Sequence, residues 1–97
     1  NIIVIVINNG MYGTIRMHQE REFPGRVHGT ALTNPDFTAY ARAFGMSGEV
    51  VETTAAFEPA LQRALDPGKP ALIEIRIDPE AITPNATMMQ IREAARK

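Results

Sequence analysis

The chain has no cysteine and no tryptophan, and only two histidines among 97 residues. Without cysteine there can be no disulfide, no thiolate nucleophile and no cysteine-type zinc site. Neither sign of charge is in excess, since ten Lys and Arg face eleven Asp and Glu. Such a balance provides no basic field to draw in nucleic acid or an anionic membrane surface, so neither partner is expected. Long hydrophobic runs are also missing. The longest, Ile2 to Ile7, falls far short of the ~20 residues that span a bilayer. It also lacks the basic leader and small-residue cleavage site of a secretory signal. Nothing resembles Gly-x-Gly-x-x-Gly or a P-loop, and there is no internal repeat, low-complexity tract or linker. These absences leave a cytoplasmic protein as the expectation.

What is present suits one small globular domain: 44% apolar and 22% charged residues, ordinary values for a packed chain. The most informative stretch is Ile2-Ile3-Val4-Ile5-Val6-Ile7, followed by Asn8-Asn9-Gly10-Met11-Tyr12-Gly13. An unbroken β-branched run reads as a strand buried on both faces, central in a parallel sheet rather than at its edge. Open α/β sheets place ligands beyond the carboxyl ends of such strands. A central strand needs neighbours on both sides, and none precedes this one. The expectation is a piece of a larger domain.

Further along, the pattern predicts a helix over 12–22 with a weak apolar face at Ile15 and Met17, then a Pro/Gly loop over 21–33. Asn34-Pro35-Asp36 reads as a helix start, with Asn34 as cap and Pro35 at the first helical position. Phe37, Tyr40, Ala41 and Phe44 then form a stripe facing the core, and Gly45 closes the helix. A short strand over 49–52 and a helix over 54–65 follow, with Phe57, Leu61 and Leu65 inward. The regular part of that helix is expected near Glu58, because Pro59 is tolerated only near a helix start. Pro67 to Pro70 reads as a turn. Ala71 to Ile77 is a third strand, one face made partly polar by Glu74 and Arg76. A last helix over 85–96 carries Met88, Ile91 and Ala95 on one side. The order of elements predicts an α/β fold: a partial, doubly wound parallel sheet with helices on both faces.

Chemistry concentrates after the first strand. A hard cation such as Mg²⁺ takes oxygen ligands in an octahedron and shares them with phosphates and water. The Asn9 carboxamide and a main-chain carbonyl two residues on would supply two such oxygens. Gly10 would let the chain turn between them, and Gly13 would let backbone approach a phosphate. A plain polar strand-to-helix turn is the alternative reading of the same residues. His18, beside Gln19, Glu20, Arg21 and Glu22, reads as a partly solvated surface residue, with proton transfer as its alternative role. His28 reads as solvent-facing, and Gln19 to Glu22 as a solvated face.

The run from Ile5 to Arg16 resembles the end of the thiamine diphosphate motif, which opens with Gly-Asp-Gly and ends with Asn-Asn some two dozen residues later. Asn34-Pro35-Asp36-Phe37, Ala43-Phe44-Gly45, Gly68-Lys69-Pro70-Ala71-Leu72-Ile73-Glu74-Ile75 and Asp78-Pro79 extend the likeness over essentially the whole chain. Together they resemble the acetolactate synthase and benzoylformate decarboxylase group. The resemblance implies that residues 1–97 are the C-terminal portion of a thiamine diphosphate-binding domain whose Gly-Asp-Gly half lies upstream. It implies thiamine diphosphate and Mg²⁺ as cofactors, with Asn9 and Met11 as metal ligands, Met11 through its carbonyl. Tyr12 and Gly13 would lie against the diphosphate, while Thr14, Ile15 and His18 would fall in the substrate pocket. The activating glutamate belongs to a separate domain, so no catalytic residue is assigned here and the chain alone is expected to be inactive.

The implied reaction decarboxylates a 2-oxo acid and releases an aldehyde or ligates the product to a second carbonyl. Partners would be that small-molecule substrate, the missing domains and further copies of the protein in a homodimer or tetramer. Biosynthetic acetolactate synthases usually carry Trp where this chain has His18, which points to a less specialised decarboxylase or carboligase. Oxalyl-CoA decarboxylase and sulfoacetaldehyde acetyltransferase types stay within the resemblance. C-terminal segments of the family can fold over the active site, a second role for Met88, Met89 and Ile91 besides packing. A non-catalytic α/β binding or interaction module is the alternative reading.

Overall fold

The computed structural model describes residues 1–66 and 68–97. Its elements run β1 (Ile3–Asn8), α1 (Gly13–Glu22), α2 (Phe37–Ala43), β2 (Ser47–Val51), α3 (Thr54–Leu65), β3 (Ala71–Arg76) and α4 (Met88–Ala95). The fold is α/β with three parallel strands. Two compact units divide the chain: residues 1–8 with 34–77, and residues 9–33 with 78–97. Among the described residues, no helix is long and apolar enough to cross a membrane.

The first unit holds the sheet, ordered β1-β3-β2. Ile5 pairs with Ile73 on one side of β3 and Glu49 with Ile73 on the other. β3 is therefore the central strand, and it is the one buried on both faces. β1, expected in the centre, forms an edge of this sheet with Ile5 and Ile7 exposed. Its apolar run matches a central strand, but the described residues supply a neighbour on one side alone.

Alternation along β3 sorts the two faces. Ala71 and Ile73 pack with Val51 and with Ala60 and Ala64 of α3, flanked by Phe57, Leu61 and Ile3. The opposite face carries Leu72 and Glu74, and Gly48 beside Leu72 lies directly against Thr38 of α2. Helices thus cover both faces.

Several local expectations change. The cap of α2 is Asp36, whose carboxylate accepts from the Ala39 N–H at 3.0 Å. Asn34 instead donates to the Asn8 side-chain oxygen at 3.0 Å. Both residues are good caps, and tertiary contact selects between them. Ala41 and Thr38 face the core, whereas Tyr40 and Phe44 stack edge to face on the exposed side, 5.2 Å between centroids. Gly45 does close the helix: its N–H donates to the Arg42 carbonyl and the Met46 N–H to that of Ala41. This is a Schellman pair, with Gly45 at φ +75°.

β2 begins at Ser47 rather than Glu49. α3 starts at Thr54, capped by Thr53, and continues through Pro59 without restarting at Glu58. Leu65 is exposed. The expected turn at Pro67 lies outside the described residues; Gly68 beyond it has φ +119°. Glu74, on the face expected to be partly polar, is buried.

In the second unit α1 packs against α4. α4 begins at Met88, behind a capping box in which Thr87 accepts from the Gln90 N–H and the Gln90 side chain accepts from the Thr87 N–H. Met88 is buried. Glu20, expected on a solvated face, is wholly buried. It accepts from Arg16 and Arg92 and from the Gly25 N–H.

Candidate functional site

The two asparagines after the β-branched run serve different ends. Asn8, in the first unit, donates to the Glu74 carboxylate at 3.0 Å and accepts from Asn34. Glu74 is buried, and that desolvation pushes its carboxyl up. The Arg76 guanidinium, 2.9 Å away, and the Asn8 amide outweigh this and hold it below the usual range. Asn8 is therefore a structural residue of the sheet, a role its pairing with Asn9 in the sequence does not reveal.

Asn9 belongs to the second unit. Its side-chain oxygen accepts the Met11 N–H at 3.1 Å, an Asx turn made possible by Gly10 at φ +74°. Met11 forms an isolated antiparallel bridge with Ala31. The bonds closing it run from the Tyr12 N–H to the Thr30 carbonyl and from the Leu32 N–H to the Gly10 carbonyl, both 2.8 Å. Because each peptide is a trans plane, the Gly10 carbonyl and Met11 N–H point oppositely, as do the Met11 carbonyl and Tyr12 N–H. Met11 therefore turns both its N–H and its carbonyl away from Ala31, onto the edge where the Asn9 oxygen sits. Two neutral oxygen donors share that edge, a set suited to a hard divalent cation.

Gly13 completes the turn. A Cβ at this position would lie 2.8 Å from the Asn9 side-chain nitrogen and 3.0 Å from Ile82 Cδ1. α1 opens here with Tyr12 as its cap residue, no side chain capping its first turn and no acid within it. Its leading amides and the positive end of its dipole are compatible with an anion. Met11, Tyr12, Gly13, Thr14 and Ile15 line an open hollow of about 320 Å³. Of the residues assigned from the sequence to metal, diphosphate and substrate, those from Met11 to Ile15 thus line one hollow. Asn9 and His18 are not in that lining; His18 lies one turn further along α1 and is exposed.

Among the described residues, no three His, Cys, Asp or Glu side chains cluster as a metal site. The candidate donors are a carboxamide and a peptide carbonyl, which fit a cation whose remaining ligands come from phosphate, water or another segment.

Sequence reasoning missed the loop that supports this turn. The Gln19 side chain donates to the His28 carbonyl at 2.7 Å and accepts from the Thr30 hydroxyl at 3.2 Å. Thr30 is buried. Thr30 lies in a loop without periodicity, so no sequence signal marked it.

Residues 1–75 match the family described as thiamine pyrophosphate enzyme, C-terminal TPP binding domain. The catabolic acetolactate synthase of Raoultella terrigena is 35% identical over 79 residues, 80% of this chain and 14% of that protein. The acetolactate synthase isozyme 2 large subunit of Escherichia coli K12 is 34% identical over 76 residues, 77% of this chain and 14% of its own length. A 2-hydroxyacyl-CoA lyase of Oryza sativa subsp. japonica is 30% identical over 89 residues, covering 82% and 15%. The chain thus spans about one-seventh of these relatives (14%, 14% and 15%). With its Asn-Asn turn lying inside the matched region, the chain belongs to the acetolactate synthase-like thiamine pyrophosphate enzymes, within their C-terminal cofactor-binding domain.

Proposed function

We propose that this chain is the C-terminal portion of the cofactor-binding domain of a Mg²⁺-dependent 2-oxo acid decarboxylase or carboligase. Asn9, through its amide oxygen, and Met11, through its carbonyl, hold Mg²⁺. Tyr12 and Gly13 lie against the diphosphate. Thr14 and Ile15 shape the space for the substrate side chain, with His18 at its margin. The thiamine group, when bound, supplies the electron sink that decarboxylation requires. This chain's own residues bind and orient: they fix the cation and leave the first turn of α1 open to the anion. Gly-Asp-Gly and the activating glutamate come from segments outside residues 1–97. In this reading the protein works in the cytoplasm as a homodimer or tetramer, and the chain by itself is inactive.

The observation that carries the reading is the common edge on which the Asn9 amide oxygen and the Met11 carbonyl lie. The test uses the full-length polypeptide with thiamine diphosphate and Mg²⁺, assayed against pyruvate, benzoylformate, glyoxylate and oxalyl-CoA. Asn9→Ala is expected to raise the Mg²⁺ and cofactor requirement about tenfold or more, the equivalent of about 1.4 kcal/mol. Unchanged cofactor saturation in that variant would remove Asn9 from the site.

A further inference from the structure

The Met11 carbonyl is aimed by a bond it does not make. The peptide plane joining Met11 to Tyr12 is held by its N–H, which donates to the Thr30 carbonyl at 2.8 Å. Rotating that plane would swing the Met11 oxygen off the edge it shares with Asn9. Thr30 is fixed in turn by the Gln19 carboxamide, which grips the segment at two points, the Thr30 hydroxyl and the His28 carbonyl. Gly29 between them has φ +69°, so the loop turns sharply while both ends of one side chain span it. Gln19 stands on α1, whose first residues follow directly from Met11 and Tyr12. The circuit therefore closes: the turn leads into the helix, the helix side chain holds the loop, and the loop holds the turn.

We infer that Gln19 and Thr30 are positioning residues for the metal site, fixing the direction of the Met11 carbonyl without touching the cation. The inference rests on the proposed ligand role of Asn9 and Met11. Partners of metal ligands commonly change affinity about 10- to 100-fold when removed. A backbone ligand has no side-chain partner of its own, so the control passes to the groups that fix its peptide plane.

The test is a titration of the full-length protein, without substrate, with Mn²⁺ in place of Mg²⁺ and thiamine diphosphate present, read by electron paramagnetic resonance of the free ion. Gln19→Leu and Thr30→Val are each expected to weaken Mn²⁺ binding about tenfold. Thr30→Ser, which keeps the hydroxyl, restores it. The double variant is expected to be no weaker than the worse single, because both act through one bond. Should Gln19→Leu fail to fold, Gln19→Glu keeps size and polarity but loses the donor to His28, and is read in its place. Unaltered Mn²⁺ affinity in the Gln19 and Thr30 variants, with Asn9→Ala weakened, overturns the positioning role alone. Unaltered affinity in Asn9→Ala as well overturns the ligand assignment and this inference with it.

Discussion

The Glu20 carboxylate and the Arg92 guanidinium, 72 positions apart, form a two-pronged ion pair inside the second unit, one arm at 2.7 Å. Glu20 has no exposed surface, while Arg92 and Arg16 keep about a fifth to a quarter of theirs (20% and 24%). Arg92 draws the carboxyl down to about 2 from an ordinary 4.5, against a desolvation that pushes it up, with the Gly25 N–H and Arg16 adding to the fall.

A pH dependence follows with a definite sign. The folded value lies below the unfolded one, so this stabilisation is complete above pH 4.5 and is lost as pH falls toward about 2. Glu20→Gln is expected to lower stability at neutral pH by about 3 kcal/mol, the low end for a broken buried pair because both arginines keep some access to water. It is also expected to flatten the acid limb. Urea denaturation across that pH range measures both. An acid limb identical to wild type would assign the loss to other carboxylates.

Asn8 and Asn9 are expected to separate cleanly. Asn8→Ala removes the donor to Glu74 and the acceptor for Asn34, and is expected to cost about 1–2 kcal/mol in unfolding free energy. Its metal and cofactor affinity should stay near wild type. Calorimetric titration beside thermal melts would show whether the stability effect belongs to one residue and the binding effect to the other.

Gly13→Ala tests close approach. Alanine favours the first turn of a helix, so stability is expected within about 1 kcal/mol of wild type. The added Cβ would meet the Asn9 amide at 2.8 Å and turn it from its edge. Thiamine diphosphate affinity is expected to fall about tenfold, or about 1.4 kcal/mol. Full affinity in a folded Gly13→Ala protein would contradict the need for glycine there.

Gly48→Ala tests packing within the sheet-bearing unit. A Cβ at Gly48 would lie 2.9 Å from both the Cα and the carbonyl oxygen of Thr38, backbone atoms that cannot step aside alone. Overpacking of this kind is expected to cost about 2 kcal/mol, although alanine is the better strand former. Chemical denaturation of the variant gives the answer directly.

The arrangement of strands and helices was largely legible. Period-two alternation in 71–77 and the β-branched opening run mark strands wherever they occur, and Gly45 acts as a local stop signal. The turn after β1 was legible through Asn9, Gly10 and Gly13, whose backbone demands are local. Long-range choices were not. Glu20 looks solvated because nothing near it in sequence announces Arg92. Tyr40 and Phe44 look like core because hydrophobic spacing identifies a stripe without saying whether smaller Thr38 and Ala41 will take the inner face. β1 looks central because its composition reports what could cover it, not which neighbours the described residues contain. The support from Gln19 and Thr30 escaped for the same reason, since polar side chains in an aperiodic loop carry no mark of the partner they will find.

The order β1-β3-β2 sets a timetable for synthesis. Among the described residues β1 and β2 are not paired with each other, and each has its sheet partner in β3, the last of the three along the chain. Until residue 71 emerges, neither earlier strand has the ladder that β3 provides. Pairing across such separations is slow and invites aggregation. A chain that ends short of Ala71 therefore lacks both described ladders at once, and completing this one strand supplies the two together.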